Sequence, residues 1–309
     1  MKTLKTAVVS IALTALAATA WAQTKIKVGY TGSTDYVAAF VAKEEGFFQK
    51  RGLDVELQLM TNNALGPAAL QSNSLQVATP TPPVLLQARD AGIDIVYVAG
   101  GSVITKQTTT VGLVARPGLD IKNAKDFEGK KVAIPGLGAI LHITFQKWLM
   151  DRGADLKKVT MIEFAMPQIA DAVKGGTVDA AVVTDPFLTR ITTTGIGNLV
   201  SYYMSETFPP GTMGVGYATT SAWAAANPAA LKAFREAIAE GAALATKDSA
   251  LARAAIGKYI KVPPEILSTM QIATLDPIVT EKQVNDWSTI LVQQGMLKAG
   301  EPASKIVAK

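Results

Sequence analysis

The stretch Asp35-Tyr36-Val37-Ala38-Ala39-Phe40-Val41-Ala42-Lys43-Glu44-Glu45-Gly46-Phe47-Phe48-Gln49-Lys50-Arg51-Gly52-Leu53-Asp54-Val55-Glu56-Leu57 decides how this chain reads. Val37, Phe40, Val41 and Glu44 recur at helical spacing, which predicts a helix with one apolar side. Gly46 and Gly52 interrupt the chain around an aromatic pair, and Leu53 to Leu57 then alternates apolar and acidic residues as a strand does. Upstream, Lys25 to Tyr30 reads as a strand and Thr31-Gly32-Ser33-Thr34 as a small-residue loop. A strand–loop–helix–strand unit sets its loop at the carboxyl edge of a sheet, where open α/β folds bind ligands.

A second unit has the same plan. Lys131-Val132 leads through Gly136 and a helix to Val178-Asp179-Ala180-Ala181-Val182-Val183-Thr184. Each unit closes on a threonine beside a proline element, Thr79-Pro80 in one and Thr184-Asp185-Pro186 in the other. Gly32 to Thr79 spans 47 positions and Gly136 to Thr184 spans 48, a match that predicts two similarly built lobes. Val96 to Ser102 and the apolar–threonine run Thr108 to Val114, which reads as a long strand, form the crossover between them. Phe208 to Ala218, rich in Gly and Pro, forms the return crossover, and Asn227-Pro228 starts a helix by cap-plus-proline logic. The expected division is a leader over 1–22, a first lobe from 23–111 with 214–309, and a second lobe over 112–213. Two crossovers between two lobes make a hinge.

Lys2 and Lys5, the apolar run Ala7 to Ala20 and the small residues Ala20-Trp21-Ala22 read as a secretory signal, so export to the periplasm is expected. Without a cysteine at the cleavage site no lipid anchor is expected, and without cysteine anywhere there are no disulfides. Removing the leader takes away Lys2 and Lys5, so 30 basic residues become 28 against 25 acidic ones. So mild and scattered a balance speaks against nucleic acid or an anionic membrane as partner. A mature chain of about 290 residues has room for about two domains and ordinary cores. His142 is the only histidine, so multi-histidine metal sites are excluded and a hydrolase has one candidate base.

These residues carry a family resemblance that spans essentially the whole mature chain. Tyr36 to Leu57, the segment Asp126-Phe127-Glu128-Gly129-Lys130-Lys131-Val132-Ala133-Ile134, and Gly176-Thr177-Val178-Asp179-Ala180 running into Asp185-Pro186 are its most specific pieces. In order and spacing they resemble the periplasmic solute-binding proteins of ABC importers for nitrate, alkanesulfonates, taurine and thiamine-precursor pyrimidines. The resemblance implies an α/β type II binding-protein fold, whose two lobes close over one small molecule. It also implies a monomer that takes no cofactor and hands its ligand to an ABC permease and its ATPase. A periplasmic partner that presents the ligand to a sensor, and a pyrimidine-related enzyme on the same fold, are the alternatives.

In such a fold the ligand meets loops from both lobes. From the first, Ser33, Thr34, Tyr36, Asn62, Asn63, Thr79 and Thr81 are the candidates, because hydroxyls and amides bond a ligand without carrying charge into a drying cleft. Turn and cap duty is the alternative for each. From the second, Gly136 to His142 precedes a helix whose free amides favour an anionic group, making Leu137, Gly138, Ala139 and His142 candidates. Family members for sulfonates typically carry Ser or Thr in this loop. Leu137, Gly138, Ala139 and Ile140 depart from that pattern and favour a carboxylate, or a ligand with an apolar body, over a tetrahedral anion. His142 is either a packed helical histidine or a ligand donor, and Asp185 either caps the following helix or faces the cleft. Met166, Phe187 and Phe208 suit core packing more than the cleft wall. Arg51, Arg116, Arg152 and Arg190 fall at helix ends or surface connections, so a guanidinium clamp requires Arg190 or another to fold inward.

Overall fold

The computed structural model describes residues 23–308, so the leader read over residues 1–22 lies outside them. The opening unit forms as read: β1 (Thr24–Tyr30), then α1 (Val37–Glu44), then β2 (Leu53–Leu59), with β1 and β2 parallel and in register from Thr24–Leu53 to Tyr30–Leu59. Gly52 makes the turn into β2 with φ +74°, a left-handed conformation that suits a residue without Cβ. The helix itself differs from the expectation of one apolar side. Every residue from Val37 to Ala42 is buried, because later helices close over its outer face.

The chain continues with α2 (Gly66–Gln71), a short extended piece at Val77-Ala78, α3 (Pro82–Asp90) and β3 (Ile95–Val103). It then crosses into β4 (Val111–Ala115), β5 (Lys131–Ile134), α4 (Ile140–Asp151), β6 (Thr160–Glu163), α5 (Ile169–Lys174), β7 (Ala180–Thr184), α6 (Phe187–Thr193), β8 (Asn198–Ser201) and α7 (Tyr203–Thr207). It returns through β9 (Met213–Thr220) to α8 (Ser221–Ala226), α9 (Pro228–Lys247), α10 (Ser249–Tyr259), α11 (Pro264–Thr269) and α12 (Glu281–Gln293). The long strand read over 108–114 is shorter than expected and starts only at Val111. Ahead of it Thr105 and Thr108 close a turn, in which the Thr105 N–H donates to Thr108 Oγ1 at 2.7 Å.

The two sheets share one strand order. In the second, β6-β5-β7-β4-β8 form five strands, with β5 parallel to β6 and β7, and β4 antiparallel to β7 and β8. In the first, Val28 bridges Val77 in parallel and Ala78 bridges Ala218 antiparallel, joining β2-β1 to β9-β3 through the extended piece. The order is thus β2, β1, Val77-Ala78, β9, β3, the counterpart of the other sheet. The matched Gly-to-Thr spacings in the sequence follow from this repeat. The α9 helix crosses α1 so closely that a Cβ at Gly241 would lie 2.2 Å from the Ala38 carbonyl oxygen, which explains a glycine inside a twenty-residue helix.

The crossovers are bonded to each other. Ile104 N–H donates to Thr212 O and Gly211 N–H to Ile104 O, both at 2.8 Å. Behind them Phe208 stacks on Trp287 of α12 at 5.6 Å, and Trp287 Nε1 donates to Met213 O at 2.8 Å. Phe208 is therefore a core residue at the junction of the two sheets.

Candidate ligand-binding cleft

A cavity of about 640 Å³ separates the two sheets, and the loops after their parallel strands line it. At roughly 30 Å³ per water it has room for on the order of twenty waters, and it falls within the usual 300–1,000 Å³ range of small-molecule sites.

The first wall is built by the loops after β1 and β2. Tyr36 is buried where the chain turns into α1, and its hydroxyl accepts from Asn63 Nδ2 at 2.8 Å and from Thr31 Oγ1 at 3.2 Å. Burial pushes the Tyr36 phenol up to about 12, so it stays neutral. The same Asn63 amide donates to Thr79 O at 2.7 Å. Asn62 caps the turn before α2, accepting from the Ala64 N–H at 2.7 Å. Asp35 stands between these groups, and its carboxylate accepts from Ser33 Oγ and, at 2.5 Å, from Ser102 Oγ of β3. Thr81, before the two prolines that open α3, keeps a buried hydroxyl without a hydrogen-bond partner among the described residues.

The second wall is mostly apolar. Ala139, Ile140 and Leu141 at the start of α4, Met166 after β6, Phe187 of α6 and Met204 of α7 face the cavity. The cap position of α4 is Ala139, which offers no side-chain acceptor to the first helical N–H groups. Thr184, at the end of β7, has a buried hydroxyl without a hydrogen-bond partner among the described residues. Arg190, one helical turn beyond Phe187, also lines the cavity. Its guanidinium has neither hydrogen-bond nor ion-pair partner among the described residues.

Two hydrogen bonds cross between the lobes at the cleft mouth. Asn62 Nδ2 donates to Glu163 Oε1 at 3.1 Å, and Gln87 Nε2 of α3 donates to Gly138 O at 3.0 Å. A third joint lies deeper. Asp185 is buried, and its carboxylate accepts from the Thr189 N–H at 2.8 Å and from the Gln271 N–H at 3.1 Å. Burial raises its pKa, with these bonds acting in the opposite direction.

Of the candidates read from the sequence, Ser33, Tyr36, Asn62, Asn63, Thr81 and Ala139 lie on the cavity wall. The other candidates do not. Thr34 accepts from the Ala273 N–H at 3.3 Å, and Thr79 donates to Gly29 O at 2.9 Å, so both hydroxyls serve the first lobe's own backbone. Leu137 is 45% exposed and points to solvent, while Gly138 turns the loop with φ +78°. His142 Nδ1 accepts the Gly138 N–H at 3.0 Å, so the histidine fastens its own loop, and burial lowers its pKa against the pull of Glu163. Asp185 precedes the Pro186 cap of α6, accepts the Thr189 N–H from there and does not line the cavity.

Met166 and Phe187, read as core, are wall residues, and Arg190, read as a helix end, faces inward. The i, i+3 spacing from Phe187 to Arg190 is the one sequence signal that aligns them on a single helix face. Asp35 escaped notice although it sits between Ser33 and Tyr36. Lys258 and Lys261 add positive charge at the rim, where Lys258 is paired with Glu44.

Comparison with known proteins agrees with this geometry. A Brucella abortus (strain 2308) protein provisionally named a binding protein is 25% identical over 305 residues, covering 94% of this chain and 92% of the relative. Two solved structures share the fold. The ligand-binding component of an ABC-type import system from Staphylococcus aureus superposes with a TM-score of 0.80 at 14% identity, covering 93% of this chain and 97% of that one. The alkanesulfonate-binding protein SsuA from Xanthomonas axonopodis pv. citri, bound to MOPS, gives a TM-score of 0.76 at 17% identity, covering 92% and 98%. All three carry the names of binding proteins, not of enzymes. The family model described as NMT1/THI5 like matches residues 33–252, most of the chain, and this protein belongs to that family.

Proposed function

We propose that this protein is an exported, non-enzymatic solute receptor that closes over a small organic anion and delivers it to an ABC-importer permease. The observation that carries the reading is Arg190, a guanidinium without a counter-charge among the described residues, on a mostly apolar wall. A half-buried charge without a partner is costly to hold, and an anionic ligand group would supply the partner. The uncapped start of α4 adds N–H groups on the same wall. Apolar side chains from Met60 to Met204 suit an organic body more than a bare inorganic ion.

Both walls belong to one mechanism. A ligand that touches only one lobe leaves the open–closed equilibrium where it was, whereas one that touches both favours closure, and the permease reads the closed shape. The name of one fold neighbour, the ligand-binding component of an ABC-type import system, supports import over presentation to a sensor. A thermal-shift screen over carboxylates, sulfonates and heteroaromatics tests the reading. A ligand at a hundred times its Kd stabilises the folded state by about 2.7 kcal/mol. The expected hits are organic anions whose effect disappears in Arg190→Gln. Hits confined to neutral heteroaromatics, or anion hits indifferent to that substitution, would sink the anion reading.

A further inference from the structure

Arg190 has a counterpart on the opposite wall. Asp35 is the one carboxylate among the described residues lining the cavity, and no lysine or arginine pairs with it. Its two oxygens accept only hydroxyl hydrogens, from Ser33 and Ser102. Those bonds hold the carboxylate in place without supplying a counter-charge, and each oxygen keeps a lone pair for a further donor. Among the described residues the cleft thus sets an unpaired carboxylate on the first lobe against an unpaired guanidinium on the second, with the ammonium of Lys261 farther out at the rim.

We infer that the ligand is an amphipathic zwitterion, with its anionic group on Arg190, its ammonium on Asp35 and its apolar body against Ile140, Leu141, Met166 and Phe187. The inference rests on the receptor reading above and narrows it. A simple anion drawn to Arg190 would be carried toward Asp35 as the lobes close, and like charges would oppose closure. A zwitterion answers both walls at once, which is what a ligand must do to favour the closed state. An ammonium also brings three donors to a carboxylate that so far accepts only two hydroxyls. The wall around the poles is apolar, so the charges are recognised away from bulk water, where each unmatched pole weakens binding most.

Titration calorimetry on the mature chain tests this with matched probes. One set is leucine, 4-methylpentanoate and 3-methylbutylamine. A second is phenylalanine, 3-phenylpropanoate and 2-phenylethylamine, and a third is taurine with ethanesulfonate. In at least one set the zwitterion should bind roughly 30-fold or more tightly than the anion lacking its amine, the loss expected when one partner of a desolvated charge pair is removed. Asp35→Asn should shrink that ratio to a few-fold and leave the simple anion's affinity in place or improved. Arg190→Gln should weaken both.

An anion that binds as tightly as its zwitterion overturns the inference, and so does the failure of all three zwitterions to bind. If Asp35→Asn weakens amine-bearing and amine-free ligands alike, Asp35 serves closure and not the ligand, and the inference falls. Simple anions that bind through Arg190 with no preference for an amine would leave the receptor reading standing. Anion binding indifferent to Arg190→Gln would instead remove that reading itself. The wild-type comparison within each set stands even if Asp35→Asn does not fold.

Discussion

On the first wall of the cleft Tyr36, Asn63, Thr31 and Thr79 bond to one another, whereas on the second the Arg190 guanidinium and the Thr184 hydroxyl bond to nothing among the described residues. The two walls come from equivalent loops of equivalent sheets, so topology does not make the difference. Side-chain chemistry does. The first wall settles most of its polar groups during folding, the Thr81 hydroxyl excepted, and presents a bonded surface whose one carboxylate is Asp35. The second leaves donors open inside an apolar surface, so its polar groups gain most when a ligand arrives. One wall gives the cleft its shape, and the other sets what the cleft selects.

That contrast breaks first at Arg190. Arg190→Gln should cost an anionic ligand about 2–5 kcal/mol of binding free energy, read by calorimetry, while the melting temperature without ligand stays close to wild type. A variant that loses stability and keeps affinity would reverse the roles given to the two walls. Asp185→Ala should do the opposite. It strips the Thr189 and Gln271 N–H groups of their acceptor and is expected to cost about 2 kcal/mol of stability in denaturant unfolding.

Tyr36→Phe sharpens the picture of the first wall. It removes the acceptor for Asn63 Nδ2, and because Asn63 borders the cavity, water can replace it, so about 1 kcal/mol of stability should be lost. Ligand preference across a panel should stay in the same order. Gln87→Ala cuts one inter-lobe hydrogen bond and should weaken every ligand by roughly two- to tenfold without reordering them.

The smallest effect concerns acid. Burial holds His142 below its ordinary pKa, and its Nδ1 must stay unprotonated to accept from Gly138. The unfolded chain takes up that proton near pH 6.5, before the folded one does. Stability should therefore fall as pH drops from about 6.5 through the lower folded value, then level off. His142→Gln should flatten that slope in thermal melts between pH 7 and 5. An unchanged slope would mean that His142 does not fasten its loop.

Periodicity and break residues made the β1–α1–β2 unit, its repeat after β5, the two crossovers and the start of α9 legible in the chain, because each is a local signal. The residues chosen from loop position were a mixed set. Ser33, Tyr36 and Asn63 reach the cleft, but Thr34, Thr79 and Asp185 turn to backbone groups far along the chain, and His142 turns to the Gly138 N–H of its own loop. A hydroxyl or carboxylate in a loop has the same sequence signature in either case, since its partner is distant. Asp185 illustrates the point, for the Gln271 N–H that binds it lies 86 residues away.

The sequence by itself determined the strand and helix repeat, the break residues between elements and the family, because these depend on spacing along the chain. Only the tertiary structure decided which charges remain unpaired. It brought Ser33 and Ser102 onto Asp35, left the Arg190 guanidinium without a partner among the described residues and buried α1 on every side from Val37 to Ala42. Pairing is a property of what comes near in space, and the loops that meet across this cleft are separated in the chain by whole lobes.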